Sequence, residues 1–168
     1  EFQSFRSRLE AASGFQSAQF RELEVVLGRR DPRVVPGSMH GDAAWDQVVA
    51  AMQRPSVWSS YAAFLAARGH AVPREILDAD VTQPVPSSEA MVDVIVSVYR
   101  SDDAATLVAE RMLDVDEGLQ EWRYRHVKMV ERTIGTRRGT GGSEGAEYLR
   151  TTLMRPLFPD LWAVRTSF

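Results

Sequence analysis

The chain is expected to be all-α. Three observations carry this: apolar residues recur at three- and four-residue steps along most of its length, the runs are bracketed by capping residues and by terminating glycines, and alternating β-type runs are scarce. With 168 residues and 44% apolar content the chain can bury one sizeable core, so a single domain over 1–168 is expected.

The elements follow in order. The opening "EFQSFRSRLEAASG" lacks an initiator methionine and reads as the middle of a folded segment, so a preceding part is expected. "SGFQSAQFRELEVVLG" places Ser13 as an N-cap ahead of Phe15, Phe20, Leu23, Val26 and Leu27, and closes at Gly28. "DAAWDQVVAAMQ" repeats the scheme, with Asp42 as cap and Trp45, Val48, Val49 and Met52 on one face. "PSVWSSYAAFLAARG" starts with Pro55 at the first helical position and stops at Gly69. The three prolines of "HAVPREILDADVTQPVPSS" make it the long connection, after which Ser88 caps "EAMVDVIVSVYR". The run "VDVIVSVY" is ambiguous by composition, but its length and cap favour a helix. The longest element is expected from about Asp103 to Ile134, where Gly118 is the only glycine and no proline intervenes. On it Val115, Leu119, Trp122, Met129, Val130 and Thr133 form a stripe that includes His126, so His126 is expected to point inward. Arg125, Lys128 and Arg132 fall on another side, and Arg123 flanks the stripe.

A net charge of −3 and a pI near 5.7 provide no global attraction to nucleic acid or anionic membrane, although basic residues concentrate between Arg123 and Arg138. The absence of cysteine excludes disulfides, thiolate nucleophiles, thiolate-ligated heme and cysteine-ligated zinc, and fits a cytoplasmic protein. No leader or long apolar run is visible, so neither secretion nor membrane spanning is expected.

His126 is one of three histidines and has two readings. It is either a neutral core residue hydrogen-bonded to a neighbour or an axial heme ligand; with no H-x-x-x-H or E-x-x-H partner on the helix, a protein-only zinc or di-iron site lacks support. The basic residues are correspondingly either partners for heme propionates or a solvated face with pairs such as Lys128 and Glu131. "GTRRGTGGSEG", residues 135–145, has five glycines, follows a helix and lacks the G-K-[ST] ending. It is therefore neither a Rossmann nor a Walker loop, and reads as a plain linker or as a mobile loop able to bring backbone N–H groups and the Thr140 hydroxyl to a ligand.

Four strings then carry a resemblance: "FRSRLEAASGFQSAQFRELE" (5–24), "EWRYRHVKMVERTIG" (121–135), "RGTGGSEGAEYLR" (138–150) and "FPDLWAVRTSF" (158–168). Their sequence and order resemble the successive motifs of the tryptophan 2,3-dioxygenase family from one end of the chain to the other. The resemblance implies a helical heme-binding domain of the tryptophan/indoleamine dioxygenase type, with heme b, and with dioxygen as co-substrate for opening the indole C2–C3 bond of L-tryptophan to N-formylkynurenine, the entry to the kynurenine pathway. It implies that His126 is the proximal ligand, that Arg6 pairs with the substrate carboxylate, that Phe2 lines the indole pocket, that Ser13 lies near heme and substrate, and that Thr140 belongs to the loop closing over the amino acid backbone. It also implies a homotetramer. The family's N-terminal half, with an "HxxxELW"-type helix supplying a distal histidine, has no counterpart here, so no catalytic base is assigned within the chain. Thr136 and Glu144 depart from the family's loop, in which an aromatic and a small residue are usual. A heme monooxygenase acting on a substituted indole is the alternative, and a helical module that has lost heme is a third reading from another class.

Overall fold

The computed structural model describes residues 19–29, 43–84, 86–134, 153 and 155–168, and among them every regular element is helical. Seven α-helices follow in order: α1 over 19–27, α2 Ala43–Met52, α3 Val57–Ala67, α4 Arg74–Leu77, α5 Glu89–Ser101, α6 Asp103–Ile134 and α7 Pro159–Ala163, which runs on into a 3₁₀ turn over Val164–Ser167. The all-α expectation holds. "VDVIVSVY" is helical within α5, whose N-cap Ser88 accepts a hydrogen bond from the Met91 N–H at 3.3 Å.

Helix boundaries follow local chemistry. α1 ends at Gly28, whose φ of 134° lies in the left-handed region, and a Cβ there would meet the Trp58 Cβ at 2.9 Å. Glycine thus serves both the backbone turn and the close approach to α3. Ser56 is the N-cap of α3, accepting from the Ser59 N–H at 3.0 Å. Pro55 therefore precedes the cap instead of occupying the first helical position, a correction explained by the side-chain acceptor that serine has and proline lacks. α4 is a single turn inside the expected long connection, starting directly after Pro73 and burying Ile76. The expected caps Ser13 and Asp42, with Phe15, lie outside the described residues, as do the side chains of Trp45 and Thr133.

The core is built by α3, α5, α6 and α7: Trp58, Tyr61 and Leu65 meet Met91, Ile95 and Val98, and these meet Ala105, Ala109, Met112 and Leu113 below Phe158, Leu161 and Val164. Small residues at 105 and 109 let α5 and α6 approach closely. The junction between these two helices is held by Asp102, which caps α6 by accepting from the Ala105 N–H and is gripped by Arg68 at 2.6 and 2.8 Å and by His70 at 3.1 Å.

Two expected faces are rotated. On α1 the buried residues are Glu24 and Val25, while Leu23 and Val26 are exposed. On α6 the buried face carries Met112, Leu113, Asp116, Arg123 and Val127, whereas Val115, Trp122 and Met129 of the expected stripe are exposed and His126 is half-buried. The physical reason is the same in both helices: charged residues that read as surface are inside because they are paired there.

Candidate functional site

α6 is the frame of the site, and two sets of polar contacts fix it, while a third ties α7 to the start of α5. Arg123 is buried at 4% exposure and donates from Nη2 to Glu24 Oε1 at 3.0 Å and from Nη1 to the Arg155 carbonyl at 2.8 Å. Glu24, at 3% exposure, also accepts from Arg21 at 2.9 Å and Arg29 at 3.1 Å, so one carboxylate gathers three guanidinium groups. Burial pushes the Arg123 guanidinium below its ordinary value, and the facing Glu24 opposes that shift. Asp116, fully buried, accepts at Oδ2 from the Leu157 N–H at 2.9 Å, the Phe158 N–H at 3.2 Å and the Trp162 indole N–H at 2.9 Å. Gln120 donates to its other oxygen at 3.2 Å. A third carboxylate, Asp160, accepts from the Ser87 hydroxyl and the Ser88 N–H, and burial raises it above its ordinary value. α1, α6 and α7 are thereby locked in one geometry.

His126 sits one turn along from Arg123. Its imidazole stacks on the Trp122 indole with ring centroids 5.1 Å apart and planes 9° from parallel, and Trp122 stacks in turn on Phe20 of α1 at 5.0 Å and 10°. The Arg123 guanidinium lies 5.0 Å from the Phe20 ring centroid. Three rings therefore form a column that crosses from α1 to α6. Partial burial lowers the imidazole from its ordinary value, which favours the neutral form with a free nitrogen lone pair. No described residue hydrogen-bonds to this ring, and among the described residues no group of three His, Cys, Asp or Glu side chains could chelate a metal. A group completed by a single axial imidazole fits this donor set. Among the described residues no set of side chains supplies a protein-only metal centre.

The cations of the sequence cluster are divided. Arg123 is part of the buried pair, so the expectation that it merely flanks the stripe is corrected. Arg125 pairs with Glu121 at 2.5 Å and Lys128 with Glu131 at 3.0 Å, while the Lys128 ammonium lies 5.7 Å from the Tyr124 ring centroid. Tyr124, Arg125, Lys128, Met129 and Arg132 line an open groove on this side of α6. A second groove, between α1 and α6, is lined by Gln19, Phe20, Leu23, Leu119 and Trp122.

Of the residues singled out in the sequence, Phe2, Arg6, Ser13 and Thr140 lie outside the described residues, as does the glycine-rich stretch 135–145. His126 alone is placed. Sequence reasoning missed Glu24, Arg123 and Asp116 as anchors; the usable signal was a charged residue inside an otherwise buried face, three or four positions from apolar ones.

Fold and site together define an all-helical protein that offers one stacked, unchelated imidazole from a long, firmly anchored helix. The chain belongs to the tryptophan 2,3-dioxygenase family, whose model matches residues 61–168. It is 58% identical over 165 residues to the tryptophan 2,3-dioxygenase of Anaeromyxobacter sp. (strain K), covering 98% of this chain and 62% of that protein. To the tryptophan 2,3-dioxygenase of Herpetosiphon aurantiacus it is 48% identical over 169 residues, covering 99% of this chain and 64% of that protein. To that of Burkholderia pseudomallei (strain 668) it is 41% identical over 170 residues, covering 99% and 56%. The chain thus spans between 56 and 64% of the length of these curated relatives.

Proposed function

We propose that this chain is the heme-ligating portion of a dioxygenase that opens the indole C2–C3 bond of L-tryptophan to N-formylkynurenine, using heme b and dioxygen. The observation that carries the reading is His126: within a chain of this family, it is a half-buried, neutral-favoured imidazole with no hydrogen bond to a described residue, on a helix anchored at both Asp116 and Arg123.

In this reading His126 holds the iron from one side, and the bound heme supplies the centre at which dioxygen is activated. The protein's own part is placement. The Arg6 guanidinium would read the substrate carboxylate through paired N–H donors, Phe2 would supply an apolar wall for the indole, Ser13 would serve the heme and substrate site, and the Thr140 hydroxyl would bind the amino acid end. Holding both ends of the substrate converts a bimolecular encounter into an oriented one. A homotetramer in the cytoplasm completes the proposal; no helix among the described residues is long and apolar enough to cross a membrane.

The test is an assay of the heme-loaded protein, including any N-terminal part that precedes this chain, with tryptophan under isotopically labelled dioxygen. Incorporation of both labelled atoms into a formylated ring-opened product is the expected result. A product carrying a single labelled atom, or protein without a Soret band after heme addition, would overturn it.

A further inference from the structure

The imidazole of a metal-bound histidine is ordinarily oriented by a hydrogen bond from its second nitrogen to a carboxylate, a carbonyl or a water. His126 has no such partner among the described residues, and the contact it does have is of another kind. Its ring lies parallel to the Trp122 indole at 5.1 Å and 9°, an offset stack of the favourable type. The two residues are four apart on α6, so the helix places the His126 side chain back over the turn that Trp122 occupies. Trp122 is itself backed by Phe20, parallel at 5.0 Å and 10°, and Phe20 is fixed on α1 by the Arg123–Glu24 pair. Trp122 is 39% exposed and contributes little to the core, so its placement is not explained by burial.

We propose that Trp122, backed by Phe20, is a positioning residue that sets the plane of the His126 imidazole by aromatic stacking. The inference rests on His126 being the axial ligand. An indole face restricts rotation of the imidazole about its bond to Cβ without occupying either ring nitrogen. The ligand is thereby presented in one orientation before heme arrives, and heme binding does not have to order it.

The experiment uses the heme-reconstituted protein and four variants, Trp122→Leu, Trp122→Phe, Phe20→Leu and the control His126→Ala, with two readouts. One is the iron–histidine stretching band of the ferrous protein in resonance Raman spectra; the other is the rate of heme transfer to an excess of an apo heme-binding acceptor. Trp122→Leu is expected to broaden or shift the band and to speed heme loss about two- to tenfold, the size of a lost aromatic pair. Trp122→Phe keeps a ring in the column and is expected to stay near the parent in both readouts. Phe20→Leu, which leaves α6 untouched, is expected to fall between them, and it carries the same test should Trp122→Leu fail to fold. A parent-like band and loss rate in Trp122→Leu would overturn the proposal, as would a Trp122→Phe variant as impaired as Trp122→Leu. The band in His126→Ala separates the two levels: its persistence there removes His126 as the ligand, whereas its loss there beside an unaffected Trp122→Leu removes only the stacking role.

Discussion

At the scale of single residues, the chemistry of the site concentrates on groups whose replacement has a distinct signature. His126→Ala should abolish stable heme binding or leave heme whose axial position is filled by added imidazole, with helicity unchanged because the ring lies outside the core. Heme titration with and without imidazole, followed in the Soret region, checks this. On the proposed reading of Arg6 as the substrate's carboxylate partner, a charged hydrogen bond worth about 1.5 to 3 kcal/mol, Arg6→Ala should lower tryptophan use by about ten- to a hundredfold. A simple 3-alkylindole has no carboxylate and should be affected much less, whereas a folding defect would harm both substrates alike. Arg6→Lys should recover only part of the loss, because an ammonium lacks the two parallel N–H donors. Comparing kcat/KM on the two substrates decides whether the carboxylate is the point of contact. The sequence pattern placed His126 on the right helix but turned that helix wrongly. Periodicity counts apolar residues, and on this helix Trp122 and Met129 face outward while Asp116 and Arg123 lie inside.

At the scale of elements, α5 and α6 were legible to within a residue or two, since a serine cap and an unbroken helical period have local causes. The single turn α4 and the helix α7 were not, because each is too short to show a period and is held by long-range partners. Those partners lead to measurable costs. Glu24→Gln leaves the buried Arg123 guanidinium without its charge partner, and breaking a buried pair from one side costs about 3 to 5 kcal/mol. The double variant Glu24→Gln with Arg123→Met should regain part of that loss, but not all, since the hydrogen bond to the Arg155 carbonyl goes with the arginine. Denaturant midpoints of the parent, the two single variants and the double variant give the coupling directly. At the other anchor, Asp116→Ala strands two buried backbone N–H groups, each costing about 1 to 3 kcal/mol unmade, and also releases the part-buried Trp162 indole N–H. Asp116→Asn keeps one acceptor and should be the milder change in the same measurement.

At the scale of the whole molecule, pH dependence enters through Asp102, where the α5–α6 junction meets the end of α3. Hydrogen bonds from Arg68 first, then from His70 and the Ala105 N–H, hold this carboxyl well below its ordinary value. A depressed carboxylate contributes stability that is present above its unfolded value of about 4 and lost as the pH falls below that. The stability gap between the parent and Asp102→Asn should therefore be widest at neutral pH and narrow toward pH 3, as urea midpoints at the two pH values will show. Asp116 has a different consequence, concerning time instead of pH. Its three donors lie 41, 42 and 46 residues further along the chain. On a ribosome, which releases the chain from its amino end, α6 emerges with this carboxylate unsatisfied and with the surface meant for Phe158 and Leu161 bare. For as long as residues 157–162 remain in the exit tunnel, the nascent chain displays a sticky, charged cleft. Whatever delays the emergence of residues 157–162 would prolong that display and raise the demand for a chaperone.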